Sequence, residues 1–171
     1  MGHHQQQEFS SLRVKVITVS DSRDLDSDKS GALICEKLAA AGHIITSREV
    51  VVDTIDNIRH ALNHAISDEQ AQAIILNGGT GVTPRDQTPE AIEPLFDKHL
   101  PGFGELFRHL SFSEIGAATI QSRATAGMIN GAVVFSLPGS TSACRLALDA
   151  IILPQLDART KPCSFSALLG L

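Results

Sequence analysis

Asp53 and Asp86 are the acids in this chain best placed to do chemistry. Asp86 closes the stretch NGGTGVTPRD, in which Gly78, Gly79 and Gly81 surround Thr80. Without a Cβ, a glycine backbone takes positive φ freely and lets successive N–H groups converge. Converging amides form an anion nest, and a following helix adds its positive end. Phosphate or another oxyanion is the ligand class such a loop suits, with a tight structural turn as the alternative. A carboxylate beside the nest would repel a bare polyphosphate. It becomes useful when a divalent cation bridges the two, since Mg²⁺ uses one or two carboxylates together with substrate phosphates. Asp86 is thus a candidate metal ligand, and Asp53 a second ligand or a positioning group. Either acid alone could equally cap a turn or sit solvated in a loop. The patterns GxxxxGK[ST] and GxGxxG are both absent from the stretch.

These residues need elements to hold them. Arg13–Ser20 alternates and then turns apolar, as a strand entering a sheet does. After a polar loop, Ala32–Gly42 repeats apolar residues at helical spacing and stops on glycine. Residues 43–53 form a second strand ending at Asp53, and Ile55–Asp68 a helix with Ile55, Ile58, Leu62 and Ile66 on one face. The short apolar run before the glycine loop suits a buried central parallel strand. A helix over Pro89–Asp97 follows, with Thr88 as its N-cap and Pro89 in its first turn. Gly102–Phe112 reads as a helix, residues 116–131 as irregular with short strands, Ala132–Ser140 as a strand and residues 141–156 as the closing helix. Strands alternating with helices argue for an α/β layer fold with a mostly parallel sheet.

In such sheets ligands bind outside the carboxyl ends of the strands. There the sequence places Ser20, Asp21 and Ser22, then Asp53, then Gly78, Gly79, Thr80 and Gly81, and last Pro138, Gly139, Ser140 and Thr141. Ser122 and Arg123 lie in QSRATAG, where a lone arginine reads first as structural. His60 and His64 are spaced i, i+4 on a helix but lack HExxH and a third ligand, so they read as an exposed face. Ser140 lacks the GxSxG of a nucleophile elbow. Cys35, Cys144 and Cys163 have no CxxC pair and read as unpaired thiols in a reducing compartment.

At 43% hydrophobic and 19% charged, 171 residues can build one core, and no composition break divides them. The expectation is a flexible tail over residues 1–11 and a single domain over 12–171. A net charge of −5 without a basic stripe argues against nucleic acid. No apolar run reaches roughly 18 residues, and the first residues lack the order of a signal peptide. A cytoplasmic protein without a membrane partner is the reading.

Several segments, taken in order, resemble the MoaB/MogA family of molybdenum cofactor biosynthesis proteins: VSDSR, NGGTGVTPRDQTPEA, PGFGELFR, LSFSEIGAATIQSRATAG and LPGST. The closing QLDARTKPC is similar to the MoaB branch. The resemblance runs from about Arg13 onward. It implies a three-layer α/β/α sandwich that binds molybdopterin and assembles as a trimer or a hexamer. It further implies Mg²⁺-dependent adenylylation of molybdopterin by ATP, releasing pyrophosphate. The family's two functional aspartates correspond to Asp53 and Asp86. On that basis Gly78–Gly81 cradle phosphate, Asp86 holds Mg²⁺, and Asp53 orients the pterin phosphate or the cation. Ser20, Asp21, Ser22, Ser122, Pro138, Gly139 and Ser140 then belong to the pterin and nucleotide clefts. A non-catalytic molybdopterin- or nucleotide-binding protein is the alternative.

Overall fold

A computed structural model of the chain describes residues 8–169. Six strands form one sheet: β1 (Arg13–Val19), β2 (Ile44–Val51), β3 (Ala73–Asn77), β4 (Lys98–His99), β5 (Thr125–Ile129) and β6 (Ala132–Leu137). Their order is β2-β1-β3-β6-β5-β4. The pairs β1–β2, β1–β3 and β3–β6 are parallel, while β5 runs antiparallel to both its neighbours. The helices are α1 (Lys29–Ala40), α2 (Ile55–Ser67), α3 (Thr88–Ile92), α4 (Pro101–Ile115), α5 (Thr141–Ala147) and α6 (Leu153–Leu156).

Side-chain alternation along the buried strands divides the core into two sheets of contacts. Val14, Val16, Ile75, Val133 and Phe135 pack with Ile34 and Leu38 of α1 and with Phe103 and Phe107 of α4. Ile17, Val19, Ile74, Leu76 and Val134 pack with Ile58 and Leu62 of α2 and with Ala91 and Ile92 of α3. Helices on both faces of a mostly parallel sheet make the three-layer α/β/α sandwich expected from the sequence. β3 lies between β1 and β6 and is buried along its whole length, which is why its sequence shows no alternation.

Toward the amino ends of the strands, one position departs from the apolar rule. Lys15 on β1 is only 2% exposed. Its Nζ donates to Ser47 Oγ at 2.5 Å and to Glu69 Oε1 at 2.9 Å, and pairs with Glu49 at 2.8 Å. Glu69 also accepts from Thr46 Oγ1 at 2.5 Å and from Ser47 Oγ at 2.8 Å. Burial alone would raise the Glu69 carboxyl, but these donors bring it down to about 2.

Four local expectations are corrected. The first helix starts three residues before Ala32, inside the stretch read as polar loop. Asp28 caps it by accepting from the Gly31 amide at 2.9 Å. Thr88 does not cap α3: it is the first helical residue, and its hydroxyl donates instead to the Gly78 carbonyl at 2.9 Å. Residues 116–131 are more regular than expected. They form a 3₁₀ turn over Gly116–Gln121 and then β5, which reverses into β6 through Asn130 (φ 48) and Gly131 (φ 84). The closing helix is interrupted by a π turn at Leu148–Ile152, just before Pro154, which has no N–H to continue the regular ladder. Of the eleven residues assigned to a tail, 1–7 lie outside the described residues. Phe9 packs on the His43 ring with centroids 5.4 Å apart, and Ser11 Oγ donates to the Gly42 carbonyl at 2.7 Å.

Candidate active site

The glycine loop leaves the carboxyl end of β3 and enters α3. Gly78 (φ 100) and Gly79 (φ 63) both lie in the left-handed region. Close approach matters as much as backbone freedom. A Cβ at Gly78 would strike the Val19 carbonyl oxygen. One at Gly79 would come within 2.7 Å of Asp53 Oδ2, and one at Gly81 within 2.7 Å of Asp86 Oδ2. Two of the three glycines therefore make room for carboxylates. The sequence reading credited all of them to converging amides. The N–H groups of Gly79 and Thr80 donate to no other group among the described residues.

The two acids are held differently. Asp86 closes a turn on itself: its Oδ2 accepts from the Thr83 amide at 2.9 Å and the Thr83 hydroxyl at 2.6 Å. Burial works against its ionisation. The Thr83 bonds, the Gly81 amide and the Arg123 charge outweigh it and hold the carboxyl below its ordinary value. Asp86 is thus both a turn cap and an ionised group at the loop. Asp53, 7% exposed, follows β2 and accepts from the Gln87 amide at 3.2 Å. Burial pushes its carboxyl up, the Gln87 bond pulls it back only partly, and the nearby charges of Asp21 and Asp86 push it further. Asp21 accepts from the Asp53 amide at 3.1 Å and pairs with Arg85, whose guanidinium holds the Asp21 carboxyl low.

A cleft of about 370 Å³ opens beside this loop. Gly78, Gly79, Thr80, Gly81 and Asp86 line one side, and Pro138, Gly139 and Ser140 the other. Ser122 and Gln121 close a third, while Phe107, Ser111, Glu114 and Ile115 come from α4. Ser140 caps α5 by accepting from the Ala143 amide at 3.3 Å. Gly139 is held from below, its carbonyl accepting from Ser30 Oγ on α1 at 2.8 Å. The cleft thus gathers eight of the residues named from the sequence at the carboxyl ends, counting Asp86, plus Ser122. Asp53, Ser20, Asp21 and Ser22 are not on its wall. Asp53 and Asp21 sit at the back of the glycine loop, and Ser20 Oγ accepts from the amides of Ser22 and Arg23 to shape its own turn.

Sequence reasoning missed the α4 contribution, because PGFGELFR reads as an ordinary amphipathic helix. It also undervalued Arg123, the arginine that reaches the glycine loop. A larger hollow of about 500 Å³ lies beyond Arg123, near Glu90, His99, Glu105 and Arg108, and does not touch the glycines. His60 and His64 are exposed, and no group of three metal-binding side chains occurs among the described residues. Burial pushes the Cys144 thiol up to about 12, which keeps it protonated. No helix among the described residues is long and apolar enough to cross a membrane.

A three-layer α/β/α sandwich with a cleft of about 370 Å³ over the loops after β3 and β6 places the chain among α/β domains. Residues 15–158 match the family described as probable molybdopterin binding domain, and the chain belongs to that family of molybdenum cofactor biosynthesis domains. It is 51% identical over 154 residues to molybdenum cofactor biosynthesis protein B of Bacillus subtilis, covering 90% of this chain and 91% of that one. It is 46% identical over 158 residues to the protein of the same name from Escherichia coli K12, covering 92% and 93%. A crystal structure of a molybdenum cofactor biosynthesis protein B superposes with a TM-score of 0.84 at 46% identity, covering 88% of this chain and 94% of that one.

Proposed function

We propose that this protein binds molybdopterin and, with ATP and Mg²⁺, transfers an adenylyl group to the pterin's phosphate. An oxygen of that phosphate attacks the α-phosphorus of ATP, the α–β bridge breaks, and pyrophosphate leaves. The observation that carries the reading is the pairing, in one cleft, of unclaimed amides at Gly79 and Thr80 with the ionised Asp86 carboxylate. The amides suit phosphate oxygens, and the acid suits a cation that accompanies them. Such a reaction needs placement and charge stabilisation more than covalent help from the protein.

Asp86 is the residue that would hold magnesium, which when bound offsets phosphate charge. The Asp86 carboxylate fits an ion whose other ligands are phosphate oxygens and water. Asp53, buried and pressed against Gly79, fixes the loop and the Gln87 amide that starts the next helix. Pro138, Gly139 and Ser140 shape the opposite wall, and Ile115, 56% exposed at the end of α4, supplies apolar surface for a flat ring system. Asp21 supports Asp53 from the neighbouring strand end by accepting from its amide, and Ser20 and Ser22 shape the turn that carries Asp21.

The reading extends to a cytoplasmic homo-oligomer, a trimer or a hexamer. Phe112 and Ile120 support association, being 61% and 77% exposed on α4 and the 3₁₀ turn after it. Light scattering on the purified protein decides this, and a monomer at all concentrations refutes it. For the chemistry, the purified chain is incubated with ATP, Mg²⁺ and molybdopterin, and pyrophosphate and adenylylated pterin are measured. Pterin binding without either product would turn the reading to a non-catalytic carrier.

A further inference from the structure

We propose that Arg123 is a positioning residue for the cleft, clamping the two ends of the segment 81–86 so that Asp86 stays aimed at the ligand. Its Nε donates to the Gly81 carbonyl at 2.6 Å, and its Nη2 to the Asp86 carbonyl at 2.9 Å. Its Nη1 pairs with the Glu90 carboxylate in the first turn of α3. Its own amide donates to the Thr80 carbonyl at 3.2 Å. One residue therefore touches the loop before, across and after the turn that carries Asp86.

The segment needs such a clamp. Val82, Thr83, Pro84 and Arg85 are exposed or nearly so and take no part in the core. Inside the turn, the Asp86 amide returns to the Thr83 carbonyl at 3.0 Å, which fixes its shape but not its place. On the other flank the exposed Arg85–Asp21 pair has little holding strength, and the bonds just beyond it, from the Gln87 amide to Asp53 and from the Thr88 amide to the Gly79 carbonyl, hold the start of α3 rather than the turn. Arg123 is the half-buried anchor. The planar guanidinium presents donors in a rigid fork, so two carbonyls are fixed relative to each other. An ammonium in the same place reaches one of them at a time.

Arg123 is absent from the cleft wall, so its effect passes through Asp86 and the loop rather than through contact with substrate. The kinetic half of the inference rests on the adenylyl-transfer reading, while its structural half does not. In Arg123→Lys, the hydrogen-bonded amides of the segment, those of Thr83, Asp86 and Gln87, should exchange hydrogen faster by at least about tenfold, with β3 and β6 unchanged, because only the loop loses its tie. In the transferase assay the same variant should lose on the order of 10²-fold in kcat, the scale of a small misplacement of a reacting group, with pterin KM altered far less. Arg123→Ala should regain part of that loss when free guanidinium is added at millimolar concentration. A kcat equal to wild type, or loop exchange equal to wild type, overturns the proposal. So does faster exchange spread evenly over β3 and β6, the sign of a general loosening. A wild-type chain that yields no pyrophosphate removes the transferase reading and leaves the exchange comparison as the test of the clamp.

Discussion

A half-buried carboxylate and a buried one, at opposite ends of the same sheet, have met opposite fates. Glu69, near the amino ends of the strands, is surrounded by Lys15, Thr46 and Ser47, and is held down to about 2. Asp53, at the carboxyl ends, accepts one amide from Gln87 and faces the charges of Asp21 and Asp86, so burial keeps its carboxyl high. Both acids lose water on folding. The first has that loss offset by a cation and hydroxyls, and the second does not. A fold that satisfies one acid and leaves the other underprovided has put its stability at one end and the proposed site at the other.

The comparison can be broken most directly at Asp86. Asp86→Asn should cost on the order of 10²-fold or more in adenylyl transfer, with pterin binding still measurable by titration. Normal turnover in that variant would remove Asp86 from the mechanism. At the other end, Glu69→Ala should destabilise by about 3 kcal/mol, because Lys15 stays buried with only Glu49 left to pair. Thermal unfolding should report this as a fall in Tm of roughly 6–12 °C, with the cleft's ligand affinity unchanged. Gly79→Ala comes next, at about 2 kcal/mol, since it asks for positive φ and meets the Thr88 hydroxyl and the Asp53 carboxylate. Urea unfolding measures it, and a neutral result would mean that the loop shifts enough to relieve both the strain and the contacts.

The pH dependence sharpens the same contrast. The folded Glu69 carboxyl lies below its ordinary 4.5, so its contribution to stability is present above that value and is lost as pH falls toward about 2. Glu69→Gln should flatten that acid limb. Asp53 has the opposite sign. Its folded value lies above the ordinary 3.8, so the native state takes up its proton first, and stability declines as pH rises through that interval. Asp53→Asn should therefore raise Tm slightly at neutral pH while reducing activity. A lower Tm would show that the charge is compensated after all.

Much of this was legible in the chain. The apolar run of β3, the Gly42 stop and the periodicity of α2 place the sheet and helices directly. The order of acids and glycines at strand ends places Asp86, Gly78–Gly81 and Pro138–Ser140 together. What was not legible depends on partners distant in sequence. Nothing local says that Thr88 spends its hydroxyl on Gly78, or that Gly79 is glycine because Asp53 presses on it from another strand. Asp28 was hidden for a different reason: a run of aspartates and serines looks the same whether it caps a helix or wanders through solvent. Arg123 was discounted because its acceptors are main-chain carbonyls, which carry no signature in side-chain type.

The bond from Ser30 to the Gly139 carbonyl spans 109 positions. Its partner strand of the sheet, β6, is also the late neighbour of β3. During synthesis, then, the glycine loop emerges long before its opposite wall exists. A nascent chain halted before Gly139 would carry both aspartates and the bare amides yet lack the wall that faces them, so the cleft closes only once the loop after β6 has emerged rather than growing with length.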